Sequence, residues 1–313
     1  MTRVSIVVPC YNGAATLGAS LDSALAQTGV DLEIVVIDDG STDESFALAA
    51  GYPSPVRAVT GSNRGVSAAR NRGIGETSGD WLLFLDADDI LLPGTIAARL
   101  AAAGEADVVI CDWMDMVDGQ PTGQRRAIAP AVFAGDAELA IAISAWAPPV
   151  AILYRRHLVE RIGGFKLDLP VIQDARFLFD AAHLRAEFVH APHLGAHYLV
   201  QPQSLSRRNP SKYWRDILLN GREIEALWRA DGPLDQAHQN ALSGILNQAA
   251  QGLFNALDPA FHDALAALRA GDLPLSLRNR LAERLTLAAG QKSAARLAAL
   301  WRFARHGTTR VKA

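Results

Sequence analysis

The sequence predicts an α/β fold, with a mostly parallel sheet covered by helices on both faces and followed by an α-helical C-terminal region. In the first half of the chain, short β-branched runs alternate with stretches of helical periodicity. Parallel strands need crossover connections, so this alternation is typical of a parallel sheet with helices on its faces. From about Ser211 onward the strand signals disappear and helical stripes remain.

Five apolar runs in the first half are predicted to be strands. Between the first two of them, Leu17, Leu21 and Leu25 recur on one face of a predicted helix. After Asp112 the alternation weakens, and Asp118-Gly119 predicts a hairpin turn. The strand-forming runs are VSIVV (4–8), EIVVID (33–38), VRAVT (56–60), WLLFL (81–85) and ADVVIC (106–111).

The chain of 313 residues is longer than a typical single domain. The loss of strand signals places a boundary near residue 210, which divides the chain into an α/β domain over 1–209 and a helical region over 210–313. Within the helical region, Leu242, Ile245, Leu246 and Leu253 mark a helix stripe.

Composition indicates a soluble globular protein, because half of the residues are hydrophobic and a fifth are charged. The net charge of -3 argues against nucleic acid as a partner. We interpret Cys10 and Cys111 as buried reduced thiols rather than a disulfide or metal site. The first apolar run is too short for a signal peptide and is broken by Pro9, so we expect a cytoplasmic protein.

Acidic residues follow two of the predicted strands directly. Asp38 and Asp39 close the second strand, and Asp86 and Asp88 close the fourth. Ligands of open α/β sheets bind beyond the carboxyl ends of the strands, and residues two apart on an extended chain point the same way. A divalent cation between such carboxylates and a polyphosphate makes their proximity tolerable, which predicts Mg²⁺ or Mn²⁺ at this edge.

Structural roles compete with ligand binding for several of these aspartates. Asp38 is expected to act structurally at its strand end. Asp43 and Asp89 each lie where a helix is predicted to begin, which favours a capping role for both. For Asp88, the apolar strand before it favours a functional role.

Four segments together resemble glycosyltransferase family 2, whose members are inverting enzymes that use nucleotide-activated sugars on a GT-A fold. The resemblance covers about the first two hundred residues, with the motifs in the order of the family. The segments are VSIVVPCYNGAATLGASLDSALAQT, EIVVIDDGSTD, NRGVSAARNRGIGETSGDWLLFLDADD and GGFKLDLPVIQDARFLFDAA.

The resemblance implies a role for each matching residue. Pro9, Tyr11 and Asp39 line the nucleotide base, Arg70 lies beside the base or diphosphate, Asp86 lies near the ribose, Asp88 ligates Mn²⁺ or Mg²⁺, and Asp174 is the catalytic base. For Arg70, a surface pair with a neighbouring acid is the alternative. For Asp174, an N-cap of the predicted helix is the alternative.

Three further residues are candidates for acceptor or phosphate contacts. Trp146 is a candidate acceptor wall, with packing in a lid or core as the alternative. His197 lies where the family often carries a Tyr-Arg segment that helps to hold phosphates. Here Tyr198 is followed by Leu199, so Arg207 or Arg208 is the candidate replacement. A second departure from the family pattern is Gln173, which stands before Asp174 where an acid is usual.

Together with these observations, the resemblance implies an inverting metal-dependent glycosyltransferase in cell-surface polysaccharide synthesis, with nucleotide-sugar binding and catalysis in the GT-A domain over 1–209. Its expected partners are a nucleoside diphosphate sugar, a UDP-sugar in particular, and a glycan or lipid-linked acceptor. A catalytically silent nucleotide-sugar-binding protein and a nucleotidyltransferase are the alternatives.

The C-terminal segment 291–313 carries six Lys and Arg residues and no acid. This pattern suits either peripheral contact with the inner face of a membrane or a helix docked on the body with a frayed end.

Overall fold

The computed structural model describes residues 1–201 and 204–298. The chain divides into two compact units, Met1–Pro202 and Gln203–Ala313. This division falls between residues 202 and 203, whereas the sequence pattern places the boundary between 209 and 210. The assignment of nucleotide binding and catalysis to the first part of the chain stays a prediction.

The first unit is built on a mixed sheet. Its strands are β1 (Arg3–Cys10), β2 (Asp31–Asp38), β3 (Val56–Thr60), β4 (Trp81–Phe84), β5 (Ile90–Leu91), β6 (Val108–Val117), β7 (Gln120–Arg126), β8 (Ile152–Arg155) and β9 (Phe188–Leu199). Their spatial order is β3-β2-β1-β4-β8-β6-β9-β5, and β7 pairs with β6. Strands β3, β2, β1 and β4 are mutually parallel, as the alternation of strand and helix predicts. Strand β8 pairs antiparallel with both β4 and β6.

Helices connect these strands, and the predicted α/β class is confirmed. The hairpin between β6 and β7 turns at Asp118 and Gly119, whose φ angles of 50° and 74° suit a two-residue hairpin loop. A short 3₁₀ helix covers Pro149–Ala151. The α-helices of this unit are α1 (Ala14–Leu25), α2 (Ser45–Ala50), α3 (Val66–Gly75), α4 (Thr95–Ala103), α5 (Ala131–Ala134), α6 (Ala137–Ile143), α7 (Arg156–Ile162) and α8 (Gln173–His183).

The core of the first unit lies along the central strands. Val4, Ile6, Val7 and Val8 of β1 are fully buried, as a strand covered on both faces requires. Helix α3 approaches β1 closely, since a Cβ atom on Gly73 would lie 2.2 Å from a Cγ atom of Val7. This close approach holds α3 against the buried strand β1.

The second unit is helical over its described residues, as the sequence predicts. Its helices include α9 (Leu205–Arg208), α10 (Pro210–Asp231), α11 (Gln236–Asn255), α12 (Phe261–Ala270) and α13 (Leu277–Ala289). In α11, the residues of the predicted stripe are buried, Leu242, Leu246 and Leu253 completely. No helix within residues 1–201 and 204–298 is both long and apolar enough to cross a membrane.

Gly252→Ala is expected to destabilise the second unit, because α11 packs against α10 through this glycine. A Cβ atom at position 252 would lie 2.0 Å from the Trp214 ring, and overpacking of this kind costs roughly 1–3 kcal/mol. Gly244→Ala on the same helix is the matched control, since a Cβ atom there has no neighbour within 4 Å and alanine favours the helix. Chemical denaturation followed by circular dichroism would measure both, and equal stability of the two variants would contradict the prediction.

Candidate active site

The carboxyl ends of three parallel strands meet at one edge of the sheet. Cys10 at the end of β1 lies opposite Asp38 at the end of β2, and Val7 lies opposite Phe84 at the end of β4. The segments that follow these strands are therefore neighbours, as expected for the ligand-binding edge of an α/β sheet. Tyr11, directly after β1, is exposed.

A cavity of about 510 Å³ opens at the end of β2. Asp39 forms part of its wall and is buried, and its two carboxylate oxygens accept hydrogen bonds from the backbone N–H groups of Arg64 and Gly65, each at 2.8 Å. Pro9 lies opposite Ile37, another residue of the wall. A volume of this size suits a nucleoside. The full lining is Ile37, Asp38, Asp39, Gly61, Ser62, Arg64, Ala68, Ala69, Asn71, Arg72 and Leu167.

The neighbouring Asp38 has the structural environment that its place at a strand end predicts. Its carboxylate accepts hydrogen bonds from Thr60 Oγ1 at 2.6 Å and from the backbone N–H of Ser41 at 3.3 Å. The bond from Thr60 connects the end of β3 to the end of β2, where Asp38 forms part of the cavity wall.

Arg70 connects three parts of this edge. Its side chain, on α3, is almost fully buried and donates hydrogen bonds of 2.5 Å to Gln173 Oε1 and to Asp86 Oδ1. The guanidinium carbon lies 5.1 Å from the centroid of the Phe165 ring. The alternative of a surface ion pair is therefore wrong, because the pair with Asp86 is made by a buried arginine. Gln173, which departs from the family pattern, supplies a neutral acceptor to that arginine.

Asn71, the next residue of α3, fixes the approach to α8. It donates to the carbonyl oxygen of Phe165 at 2.9 Å and accepts from the Phe165 backbone N–H at 2.6 Å. The Phe165 ring in turn stacks on Phe177 of α8 with the centroids 4.1 Å apart. These contacts hold the start of α8 against α3.

Three aspartates crowd the segment after β4. Asp88 accepts a hydrogen bond from Gln201 Nε2 at 2.8 Å, and burial together with the charge of Asp86 raises the pKa of Asp88 to about 6. Asp89 is fully buried and accepts from the Leu199 backbone N–H at 2.8 Å, while its second oxygen has no protein partner. Burial and the charges of Asp86 and Asp88 raise the pKa of Asp89 well above its ordinary value.

The expected capping role of Asp89 is wrong. The helix after this segment, α4, begins at Thr95, and the short strand β5 lies between. The hydrogen bond from Leu199 instead attaches Asp89 to the end of β9, a strand that is distant in sequence. Asp43 does lie before a helix, α2, and its carboxylate accepts from the backbone N–H groups of Ser45 and Ala14.

The residues at this edge fit a divalent cation that receives most of its ligands from a bound diphosphate. Over the described ranges, no three His, Cys, Asp or Glu side chains form a group that could hold a metal ion by themselves. Mg²⁺ characteristically takes one or two carboxylates together with substrate phosphates and water. Asp88 uses one oxygen for Gln201, and a nearby cation would favour the charged form of its carboxylate.

Asp174 lies in the first turn of α8, where Ile172 occupies the N-cap position. The alternative that Asp174 is the N-cap is therefore wrong. Its Oδ2 atom accepts a hydrogen bond from the Trp146 indole N–H at 3.0 Å. Burial raises the pKa of Asp174, and the charge of Arg70 opposes this rise.

Trp146 contacts two other aromatic rings, and neither contact was predicted from the sequence. The Trp146 ring makes edge contacts with Trp113, at 6.4 Å between centroids, and with Tyr198, at 5.7 Å. Burial and the charges of Asp89 and Asp174 raise the pKa of the Tyr198 phenol. Trp113 lies two residues beyond the predicted strand 106–111, which suggested that the strand could continue through it. A strand pattern, however, does not indicate which side chains will contact each other.

The last two candidates are His197 on β9 and Arg207 on α9. Adjacent residues of a strand point to opposite faces, so the His197 ring points away from the side of β9 on which Tyr198 meets Trp146. Burial lowers the pKa of His197. Arg207 is exposed on the short helix α9 of the second unit.

The mixed sheet, with a cavity at the carboxyl edge of its parallel strands, has the architecture of the GT-A fold. Residues 5–163 match the sequence profile of the family described as "Glycosyl transferase family 2". The chain belongs to this family.

Known proteins similar to this chain support the same class. The succinoglycan biosynthesis protein ExoO of Rhizobium meliloti is 43% identical over 117 residues, which cover 36% of this chain. The match spans only 34% of that protein's length.

Two solved structures share the fold. S. aureus TarS 1-349 in complex with UDP-GlcNAc aligns with a TM-score of 0.68 and 20% identity, over 98% of this chain and 92% of that one. The mannosyltransferase PcManGT from Pyrobaculum calidifontis, in complex with GDP-Man and Mn²⁺, aligns with a TM-score of 0.58 and 20% identity, over 96% and 87%. At this identity the likeness concerns the fold.

Proposed function

We propose that this protein is an inverting, metal-dependent glycosyltransferase that moves a sugar from a nucleoside diphosphate sugar to a hydroxyl group of a glycan or lipid-linked acceptor. A UDP-sugar is the favoured donor, and synthesis of cell-surface polysaccharide is the favoured process. The observation that carries the proposal is the pair of hydrogen bonds from Arg70. Through them the buried guanidinium of Arg70 connects Asp86, after β4, to Gln173, the neighbour of Asp174.

The donor half of the reaction is assigned to the edge of the sheet. Asp39, with Pro9 and Tyr11, would line the base, Asp86 would lie near the ribose, and Asp88 would bind Mn²⁺ or Mg²⁺. The cation would supply Lewis-acid stabilisation of the departing diphosphate. The ligands in the names of the similar structures, UDP-GlcNAc and GDP-Man, support a nucleotide-sugar donor of this kind.

The acceptor half is assigned to Asp174. Its carboxylate would take the proton of the acceptor hydroxyl as that oxygen forms a bond to the anomeric carbon. The bond between the anomeric carbon and the diphosphate oxygen breaks at the same time, which inverts the configuration. A positioned carboxylate is the usual general base for such a step, and the nucleophile comes from the acceptor.

Incubation of the full chain with single nucleotide sugars tests this function. UDP-GlcNAc, UDP-glucose and GDP-mannose would each be supplied with Mn²⁺ or with EDTA, and nucleotide release would be measured by chromatography. We expect metal-dependent release from one donor, together with a rise in melting temperature when that donor binds. A raised melting temperature without release from any donor would support the silent binding protein. Formation of a nucleotide sugar from UTP and a sugar 1-phosphate would support the nucleotidyltransferase. Such an enzyme is expected to carry a basic residue in the loop after its first strand, whereas the segment PCYNGAAT (9–16) at the end of β1 has none.

Peripheral membrane contact through the C-terminal segment is proposed from the sequence, since most of that segment lies outside the described residues. Arg302, Arg305, Arg310 and Lys312 follow residue 298, and cations near an anionic surface are attracted in a salt-dependent way. Removal of residues 299–313 is expected to reduce sedimentation with phosphatidylserine vesicles at low salt without loss of donor binding. Equal sedimentation of the truncated and full-length proteins would exclude this contact.

A further inference from the structure

The indole of Trp146 makes a directed contact with the proposed base. Its N–H donates to Asp174 Oδ2 at 3.0 Å, across 28 residues of sequence. Trp146 lies in the segment between α6 and the 3₁₀ helix, whereas Asp174 lies in the first turn of α8. The bond therefore joins two elements whose relative position no local sequence preference determines.

We propose that Trp146 is a positioning residue for the base, which holds one oxygen of the Asp174 carboxylate so that the other faces the acceptor hydroxyl. This inference rests on the proposed function, since it assigns Asp174 the role of base. An indole N–H can only donate, so it bonds best to an ionised carboxylate oxygen. The bond therefore favours the form of Asp174 that can accept a proton.

The contacts of Trp146 keep its ring in place independently of the hydrogen bond. Trp113 of β6 meets the ring edge-on, with an interplanar angle of 86°, and Tyr198 of β9 meets it at 72°. Edge-to-face packing of this kind is favourable for aromatic rings. A phenyl ring at position 146 should keep much of the packing and lose only the donor.

Several charged and titratable groups, together with the Trp146 indole, set the pKa of Asp174. Burial raises the pKa of Asp174, Asp86 raises it further, and Arg70 and the Trp146 N–H lower it. Tyr154 and Tyr198 are also close enough for the Asp174 charge to raise the pKa of each phenol. Loss of the indole donor should therefore raise the pKa of Asp174, because a bond to the charged form is removed.

In the transfer step, the proton of the acceptor hydroxyl goes to Asp174 Oδ1 while Oδ2 keeps its bond to Trp146. The acceptor oxygen forms the new bond to the anomeric carbon with its own electron pair. The electron pair of the broken bond leaves with the diphosphate. The protonated carboxyl then returns its proton to water, so that atoms and charge balance over the cycle.

Trp146→Phe tests the proposal through the pH dependence of kcat/KM. Activity that needs an ionised base falls on the acid side, so a higher pKa moves the acid limb to higher pH. The usual strength of a hydrogen bond to a charged group predicts a shift of about one pH unit. Trp81→Phe is the matched control, because Trp81 lies at the start of β4 with its ring centroid 4.6 Å from the Arg155 guanidinium carbon, and its change should leave the acid limb where it is.

A second readout does not need turnover. In protein labelled with ¹⁵N-tryptophan, the indole resonance that disappears in Trp146→Phe should move as Asp174 titrates, and Asp174→Asn should abolish that movement. The proposal would be overturned if the acid limb did not move in Trp146→Phe and the indole resonance did not move as Asp174 titrates. An indole resonance that titrates in a protein without transferase activity would overturn the proposed function and leave the contact itself intact.

Discussion

Asp174→Asn is expected to reduce turnover by ~10²–10⁴-fold, the usual contribution of a general base. Asparagine keeps the shape of aspartate, and its amide oxygen can still accept from the Trp146 indole. It cannot take a proton, so the acceptor hydroxyl remains a poor nucleophile. Turnover would be measured with saturating donor and acceptor, and donor affinity by calorimetry, where we expect no change.

The control for this variant is Asp168→Asn, which removes an exposed carboxylate a few residues before α8. This change should leave turnover within about twofold of the wild-type value, since surface substitutions usually have small effects. Unchanged turnover in Asp174→Asn would show that Asp174 is not the base. A loss of donor affinity in the same variant would instead indicate a role in the donor site.

Asp88→Asn is expected to remove most metal-dependent turnover, a loss of at least ~10²-fold if the cation supplies several kcal/mol of charge stabilisation. The amide oxygen is a weaker ligand for a hard cation than a carboxylate, although it can still accept from Gln201. Because burial and Asp86 raise the pKa of Asp88 to about 6, its charge is not stabilised by the protein alone. We therefore expect the melting temperature of the free protein not to fall.

The measurement is turnover as a function of Mn²⁺ concentration, with wild-type protein alongside. Asp118→Asn in the β6–β7 hairpin serves as the control, because asparagine also tolerates the positive φ angle of that turn. Wild-type turnover with an unchanged dependence on Mn²⁺ would place the metal site elsewhere. A lower melting temperature together with lost activity would point to a structural role of Asp88.

Features that depend on local pattern were predictable from the sequence. The β-branched run in β1 is buried on both faces, so its hydrophobicity alone identifies it as a central strand. The Asp118-Gly119 turn was predictable because few residues accept the left-handed backbone of a tight hairpin. The position of Asp86 and Asp88 after β4 was also predictable, since it follows from where an apolar run ends.

Features that depend on partners distant in sequence were not predictable in this way. Strand β9 escaped detection because its sequence FVHAPHLGAHYL mixes polar and apolar residues, and it gains its place by pairing with β6. The role of Asp89 was misjudged for the same reason. Its partner, the Leu199 backbone N–H, lies 110 residues away on that undetected strand.

The sequence by itself determined the α/β order of the elements, the family of the protein and the aspartates at the edge of the sheet, because each depends on residues that are close together in the chain. Only the tertiary structure decided which groups meet across that edge. Arg70 reaches Gln173 over 103 residues, and Trp146 reaches Asp174 over 28. Such contacts are set by how helices and strands pack around a common core, and packing depends on shape and burial that no short stretch of sequence contains.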